Sequence, residues 1–350
     1  MDGQEHIRFE RMGLAAIIRL DRPRALNSLT LPMVRAMKAA LDRYATDDAV
    51  SCVVLTGEGE RGLCAGGDVR VIHDLGRSGD PEATRFWREE FPLNALIARY
   101  PKPYVALMDG ITMGGGVGIA AHGSVRIVTE RTRLAMPETG IGYFPDVGAT
   151  WLLPRAPGEA GTWMGLTGTE VGAADAIHAG LADLMVPSAR LGDLVAALAA
   201  LPPDAGQAIV FETAAGFSQP AEGGVLAANA ALIDRAFRFD DVAAILSALE
   251  AEPGPFAAET LATIRRRSPT SLKLALKLLR LGRASANLEE CLDREFSAAV
   301  HLLTQHDFYE GVRAALIDKD RNPQWSPASL GAVSEAAVDA YLAGGETLFP

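Results

Sequence analysis

Asp109-Gly110-Ile111-Thr112-Met113-Gly114-Gly115-Gly116-Val117-Gly118 is followed, after an apolar run, by Pro137-Glu138-Thr139-Gly140-Ile141-Gly142-Tyr143-Phe144-Pro145-Asp146-Val147-Gly148. The first half is a run of glycines whose backbone N–H groups a ligand can approach closely. The second half sets two carboxylates among apolar residues and glycines rather than on a charged face. Bare donors beside apolar-flanked acids are the parts of a site that stabilises an oxyanion.

Working outward, Tyr104–Met108 just before the glycines reads as a buried strand, and Ser51–Thr56 as another, apolar enough to be covered on both faces. His6–Phe9 and Ala15–Leu20 flank Arg11-Met12-Gly13 as a hairpin. Thr30 caps a helix carrying Met33, Val34, Met37 and Leu41, with Pro32 in its first turn. Glu82–Arg99 reads as a helix with Phe86, Phe91, Leu93 and Leu96 inward. Gly115–Ala121 is a short helix, and Val125–Val128 and Arg133–Ala135 are short strands. Strands alternating with helices predict a mixed α/β core. From Gly148 onward the pattern turns helical, ending in longer amphipathic segments over Phe256–Arg266, Thr270–Arg280, Leu288–Leu303 and His306–Ile317. The expected division is a core over 1–200 that holds the active site and a helical region over 201–350.

Two further glycine clusters lie upstream. Gly57-Glu58-Gly59-Glu60-Arg61-Gly62 matches a dinucleotide fingerprint in letters alone. The following Leu63-Cys64-Ala65-Gly66-Gly67-Asp68 cannot open the helix that such a motif requires, so the segment reads as a loop. Ala65-Gly66-Gly67-Asp68 is a small-residue turn into an apolar-periodic segment, Val69–Leu75. It serves equally as a turn with Asp68 as helix cap and as a second loop of backbone donors.

Composition narrows the partners. A chain of 350 residues with a net charge of −11 lacks the basic surface that nucleic acid needs. The three cysteines, Cys52, Cys64 and Cys291, form no paired or zinc-type spacing, which suits a reduced, cytoplasmic protein. The polar, acidic start resembles neither a signal peptide nor a transit peptide. The longest uncharged run, Gly110 to Val125, is too short and glycine-rich to span a membrane. There is no GxSxG elbow and no HExxH, and the histidines are scattered, with His122 placed just after the glycines. The carboxylates remain. Taken singly, Glu138 suits the first turn of a helix and Asp146 a glycine-flanked turn. Eight residues apart in a segment with no other charge, they suit acid–base or nucleophilic work near neutrality.

These residues resemble the crotonase (enoyl-CoA hydratase/isomerase) superfamily. The resemblance is carried by Ala65–Asp68, Gly114–Gly118 and Pro137–Gly142, and runs from about residue 5 to 330. Within it, Tyr143–Gly148, Asp307-Phe308-Tyr309-Glu310-Gly311-Val312-Arg313-Ala314 and Asp318–Pro323 are similar to the 3-hydroxyisobutyryl-CoA hydrolase branch. The resemblance implies an α/β spiral of ββα repeats followed by a helical C-terminal region, and acyl-CoA thioester substrates. It assigns the N–H groups of Gly67 and Gly115 to an oxyanion hole, Glu138 to the matching catalytic Glu, and Asp146 to the hydrolase-type partner. Ala65, Gly66, Asp68, Gly114 and Gly118 line the substrate, and Arg24-Ala25-Leu26 lines the CoA chain. Similar hydratases carry a second catalytic Glu where this chain has Gly118. Hydration draws on two carboxylates in concert, so the resemblance favours hydrolysis of a short branched acyl-CoA, 3-hydroxyisobutyryl-CoA of valine catabolism.

Two readings stand beside that one. A hydratase or isomerase of the same fold is the first, and a non-catalytic acyl-CoA-binding protein the second. The chemistry calls for no metal and no redox cofactor, coenzyme A being part of the substrate. Arg22, Arg24, Lys273 and Lys277 are the cations available for its phosphates. Relatives often form trimers or hexamers, so a homo-oligomer is a possible partner state.

Overall fold

The structure is a computed structural model describing residues 6–343 and 345–349. The strands are β1 (Ile7–Met12), β2 (Ala15–Leu20), β3 (Cys52–Gly57), β4 (Gly62–Cys64), β5 (Tyr104–Met108), β6 (Ile111–Met113), β7 (Val125–Val128), β8 (Arg133–Ala135) and β9 (Leu184–Met185). β1 and β2 form an antiparallel hairpin, and β2, β3, β5, β7 and β9 continue as parallel neighbours in one six-stranded sheet. A second sheet holds β4, β6 and β8 in that order.

The two sheets express one repeat. Each of β3, β5 and β7 is followed at once by its partner in the small sheet. After the partner comes a helix or helical turn: Val69–Arg77, Gly115–Ala120 and Glu138–Ile141. This is the expected ββα repeat. β4, β6 and β9, of two or three residues each, are absent from the sequence reading.

The chain forms two compact units that interleave along the sequence rather than dividing at residue 200. One comprises 1–67, 92–134 and 171–225, and the other 68–91, 135–170 and 226–350. In the first, Ala15, Ile17, Cys52, Val54, Val105, Leu107, Val125 and Ile127 bury one sheet face against Leu194, Leu198, Val210 and Ala214. The alternate residues Ile18, Val53, Leu55, Ala106 and Met108 are buried as well. That double burial is why the parallel strands read as unbroken apolar runs. Thr30 caps Leu31–Ala45 as expected, its Oγ1 accepting from Met33 N–H.

The second unit is built on helices Pro269–Ala284, capped by Ser268, and Leu288–Leu302, capped by Asn287. Phe91 meets Phe296 edge-on at 6.5 Å. Leu96, expected inward on Arg85–Ala98, is only half-buried; Ile97 takes the core position. Among the described residues no helix is long and apolar enough to cross a membrane.

One close approach in the first unit can be tested directly. A Cβ at Gly116 would lie 2.3 Å from the Cys64 carbonyl oxygen and 2.9 Å from Cys64 Cβ. Alanine is the better helix former by about 1 kcal/mol, but overpacking costs roughly 1–3 kcal/mol. Gly116→Ala is therefore expected to lower the melting temperature by several degrees. A melt at or above that of the parent would show that the two segments part freely.

Candidate active site

In the first unit the donor loops are held by their own backbone. Gly66 sits at φ +106°, a left-handed conformation that other residues rarely adopt. It lets the chain turn so that Leu29 N–H donates to the Gly66 carbonyl at 2.8 Å and Ala65 N–H to the Leu26 carbonyl at 3.0 Å. Arg24–Leu26 and Ala65–Gly66, expected to line the substrate, are thus joined. Asn27, buried and at φ +56°, staples this loop. Its Oδ1 accepts from Arg22 N–H at 2.9 Å, and its Nδ2 donates to the carbonyls of Glu58 and Gly62 at 3.1 and 3.0 Å. Within the Gly57–Gly62 segment, Gly57 ends β3 and Gly62 opens β4, and residues 58–61 are the loop between them.

The second donor loop touches the first. A Cβ at Gly66 would lie 3.3 Å from the Met113 carbonyl oxygen and 3.5 Å from Gly115 N. Gly114, at φ +50°, delivers the chain into the helix Gly115–Ala120. The first N–H groups of a helix have no partner within it. The N–H of Gly115, first in its helix, therefore lies beside the Gly66 turn. Gly118 lies inside that short helix, buried, and offers no side chain.

In the second unit the acids gather. Glu138 opens a 3-10 turn, Glu138–Ile141, with Pro137 as its cap residue, one residue later than the expected start at Pro137. Ser268 N–H donates to the Thr139 carbonyl at 3.2 Å, and Thr139 Oγ1 to the Leu166 carbonyl at 3.1 Å. A Cβ at Gly311 would lie 2.3 Å from the Ile141 carbonyl, so the helix His306–Val312 bears directly on the turn that carries Glu138. Asp146 is buried and accepts from Tyr143 Oη at 3.0 Å. The Tyr143 ring is stacked with Trp87 at 5.7 Å and with Phe144 at 4.5 Å.

Two further buried acids, absent from the sequence reading, share the electrostatics. Glu90 and Glu295 are 2% and 0% exposed. Burial pushes Asp146 up to about 7, against the pull of Tyr143 and its own backbone. Burial and the Asp146 charge hold Glu90 and Glu138 well above the usual carboxylate range. Burial pushes Glu295 up to about 8, partly offset by its hydrogen bonds to Thr150 and Gly148. Glu138 Oε2 and Glu90 Oε1 are buried and have no hydrogen-bond partner among the described residues. A signal for the missed acids does exist. Glu90 shares a helix face with the buried Phe86 and Leu93, and Glu295 with the buried Cys291, Ala298 and Leu302.

The remaining expected residues fare unequally. Asp68 occupies the cap position of Val69–Arg77 without making a side-chain cap bond. Arg24 is exposed. Lys273 donates to the Val333 carbonyl at 2.8 Å and pairs with Glu335, and Lys277 pairs with Asp339. Both lysines are thus already engaged, which weakens them as phosphate ligands. The three cysteines are buried and form no disulfide. Among the described residues no group of three or more His, Cys, Asp or Glu is arranged to hold a metal ion.

Comparison with known proteins places this arrangement. Residues 15–342 match the enoyl-CoA hydratase/isomerase family. A Danio rerio protein named 3-hydroxyisobutyryl-CoA hydrolase, mitochondrial, is 41% identical, the match covering 95% of this chain and 87% of that one. A crystal structure described as a carnitinyl-CoA dehydratase from Mycobacterium thermoresistibile is 44% identical over 97% of both chains, with a TM-score of 0.92. One described as an enoyl-CoA hydratase from Rhodobacter sphaeroides 2.4.1 is also 44% identical over 97% of both, with a TM-score of 0.88.

The buried acids have a consequence for stability. A carboxyl whose folded pKa is raised stabilises the fold fully below its unfolded pKa, and that contribution is lost as pH rises through the folded one. Unfolding free energy, measured by urea titration, is therefore expected to fall between about pH 4 and pH 8, by roughly 1.4 kcal/mol per pH unit for each such acid. Glu90→Gln should make the slope shallower by about one proton. An unchanged slope would mean that Glu90 is already ionised in the folded protein.

Proposed function

The chain belongs to the enoyl-CoA hydratase/isomerase family, and on that premise we propose that it hydrolyses a short branched acyl-CoA thioester, 3-hydroxyisobutyryl-CoA, to 3-hydroxyisobutyrate and CoA. The observation that carries this reading is the buried pair Glu138 and Asp146, with Gly118 where a hydratase-type second Glu would stand. Buried acids whose carboxyls are raised in this way can hold a proton, and one proton passed between them would serve both steps of a thioester hydrolysis.

In the proposed reaction the N–H groups of Gly67 and Gly115 take the thioester oxygen as it gains negative charge. Glu138, with its unpartnered Oε2, either removes a proton from the attacking water or adds to the carbonyl carbon. Addition breaks the carbon–sulfur bond and leaves a mixed anhydride that water then opens. Asp146, oriented by Tyr143, holds the shared proton and passes it to the departing thiolate. Arg24-Ala25-Leu26, with Ala65, Gly66, Asp68 and Gly114, line the pantetheine and acyl portions. Cysteine usage supports a cytoplasmic location, which fractionation of the native cell tests.

The rival reading has specific support, since the two solved structures above are described as a dehydratase and a hydratase. Release of free thiol from 3-hydroxyisobutyryl-CoA, measured beside loss of enoyl absorbance from crotonyl-CoA, separates the two. Thiol release is expected to dominate, with the acid limb of kcat near pH 7. Glu138→Gln should lower kcat by about 10²–10⁴-fold. Enoyl turnover without thiol release would sink the hydrolase assignment. Single turnover in ¹⁸O-water distinguishes the two attack routes, since label entering Glu138 reports the anhydride.

A further inference from the structure

We propose that Glu295 is a positioning residue for this reaction, holding the strained turn that presents Asp146. The proposal rests on the role assigned above to Asp146.

The backbone after Asp146 is unusual. Val147 lies at φ +55° and Gly148 at φ +81°. A β-branched residue in the left-handed region is a true outlier and persists only where its surroundings over-determine it. Besides the turn's own bond from Ala149 N–H to the Asp146 carbonyl at 2.8 Å, three bonds that hold it converge on one side chain. Glu295 Oε2 accepts from Gly148 N–H at 2.8 Å. Its Oε1 accepts from Thr150 N–H at 3.1 Å and from Thr150 Oγ1 at 2.6 Å. Glu295 thereby satisfies donors at the start of Ala149–Leu152 that this one-turn helix cannot pair itself.

A purely stabilising role suits Glu295 poorly. A fully buried carboxylate without a cationic partner weakens a fold more often than it strengthens one. Glu159, in the same unit, shows how a buried acid serves stability, being bound by Arg280 and Arg283. Tyr143 donates to Asp146, and Glu90, Glu138 and Glu295 each feel its charge. Keeping a third and fourth acid beside a working pair adds repulsion. In the case of Glu295 that repulsion accompanies three hydrogen bonds aimed at the residues next to Asp146. Glutamine has nearly the same shape but must turn its NH₂ toward a backbone N–H, so Glu295→Gln breaks one bond of the clamp and keeps the packing.

The test compares Glu295→Gln, Thr150→Val and Asp146→Asn with the parent in the thiol-release assay, with thermal melts confirming folding. In folded Glu295→Gln, kcat is expected to fall about 10- to 100-fold with KM within twofold, because the reacting group is misplaced while the binding surfaces persist. Thr150→Val, which loses only the hydroxyl bond, should lower kcat by about three- to tenfold with the same split. It decides the matter if Glu295→Gln does not fold. A kcat within twofold of the parent in folded Glu295→Gln, or a melt lowered by Thr150→Val without a fall in kcat, would overturn the proposal. Asp146→Asn separates the layers. Turnover lost there but kept in Glu295→Gln counts against Glu295 alone, and turnover kept in Asp146→Asn overturns the role of both.

Discussion

Desolvation of Asp146 without a compensating cation is the constraint on which the rest of the site depends. A buried carboxylate ordinarily takes an arginine or lysine and sinks below its usual range, as Glu159 does: burial raises it, and Arg283, Thr162 and Arg280 more than reverse the effect. Asp146 takes a phenol instead. A neutral donor orients the carboxyl without fixing its charge, so the proton stays exchangeable near neutrality. The aromatic stack of Trp87, Tyr143 and Phe144 keeps that donor in place. Around it Glu90, Glu138 and Glu295 each feel the Asp146 charge, and the stability given up to bury them is the counterpart of their chemistry.

The glycine loops solve a different problem, that of bringing two stretches of backbone together with no side chain between them. Parallel strands alone do not do this, because their N–H groups are consumed in the ladder. The repeat helps by placing β4 and β6 side by side, so that the residues just past each strand end leave the ladder at neighbouring points. Glycine at 116 then allows an approach that a Cβ would obstruct, while Gly66 and Gly114 take the positive φ that the turns require. Asn27 ties the Arg24–Leu26 loop to the chain before and in β4 through two hydrogen bonds, to the carbonyls of Glu58 and Gly62.

Much of this was legible in the sequence, for identifiable reasons. Tyr104–Met108, Val125–Val128 and Arg133–Ala135 were found to the residue because the first two are buried apolar runs and all three are bounded by turn residues. Glu138 and Asp146 stood out because their flanks carry no other charge. Glu90 and Glu295 did not, since each follows a charged neighbour, Glu89 and Arg294, on a helix whose outer face is charged. Their spacing from apolar residues on one helix face was the sign the sequence held, and the tertiary contacts show them pointing inward. β9 was invisible because two residues carry no period, and the interleaving of the units because no linker marks it. Lys273 and Lys277 read as free cations until the carboxylates of residues 335–339, more than fifty positions away, came beside them.

The separation of Glu295 from the turn it holds also bears on synthesis. A nascent chain ending before Leu288 already contains both donor loops, Glu138, Tyr143 and Asp146, yet it lacks the carboxylate that satisfies Gly148 and Thr150. At ribosomal speeds of about 5–20 residues per second, the left-handed Val147 turn goes without its clamp for several seconds or longer after it emerges. The acid turn is therefore among the last parts of the second unit to reach its final form, although its residues are made in the first half of the chain.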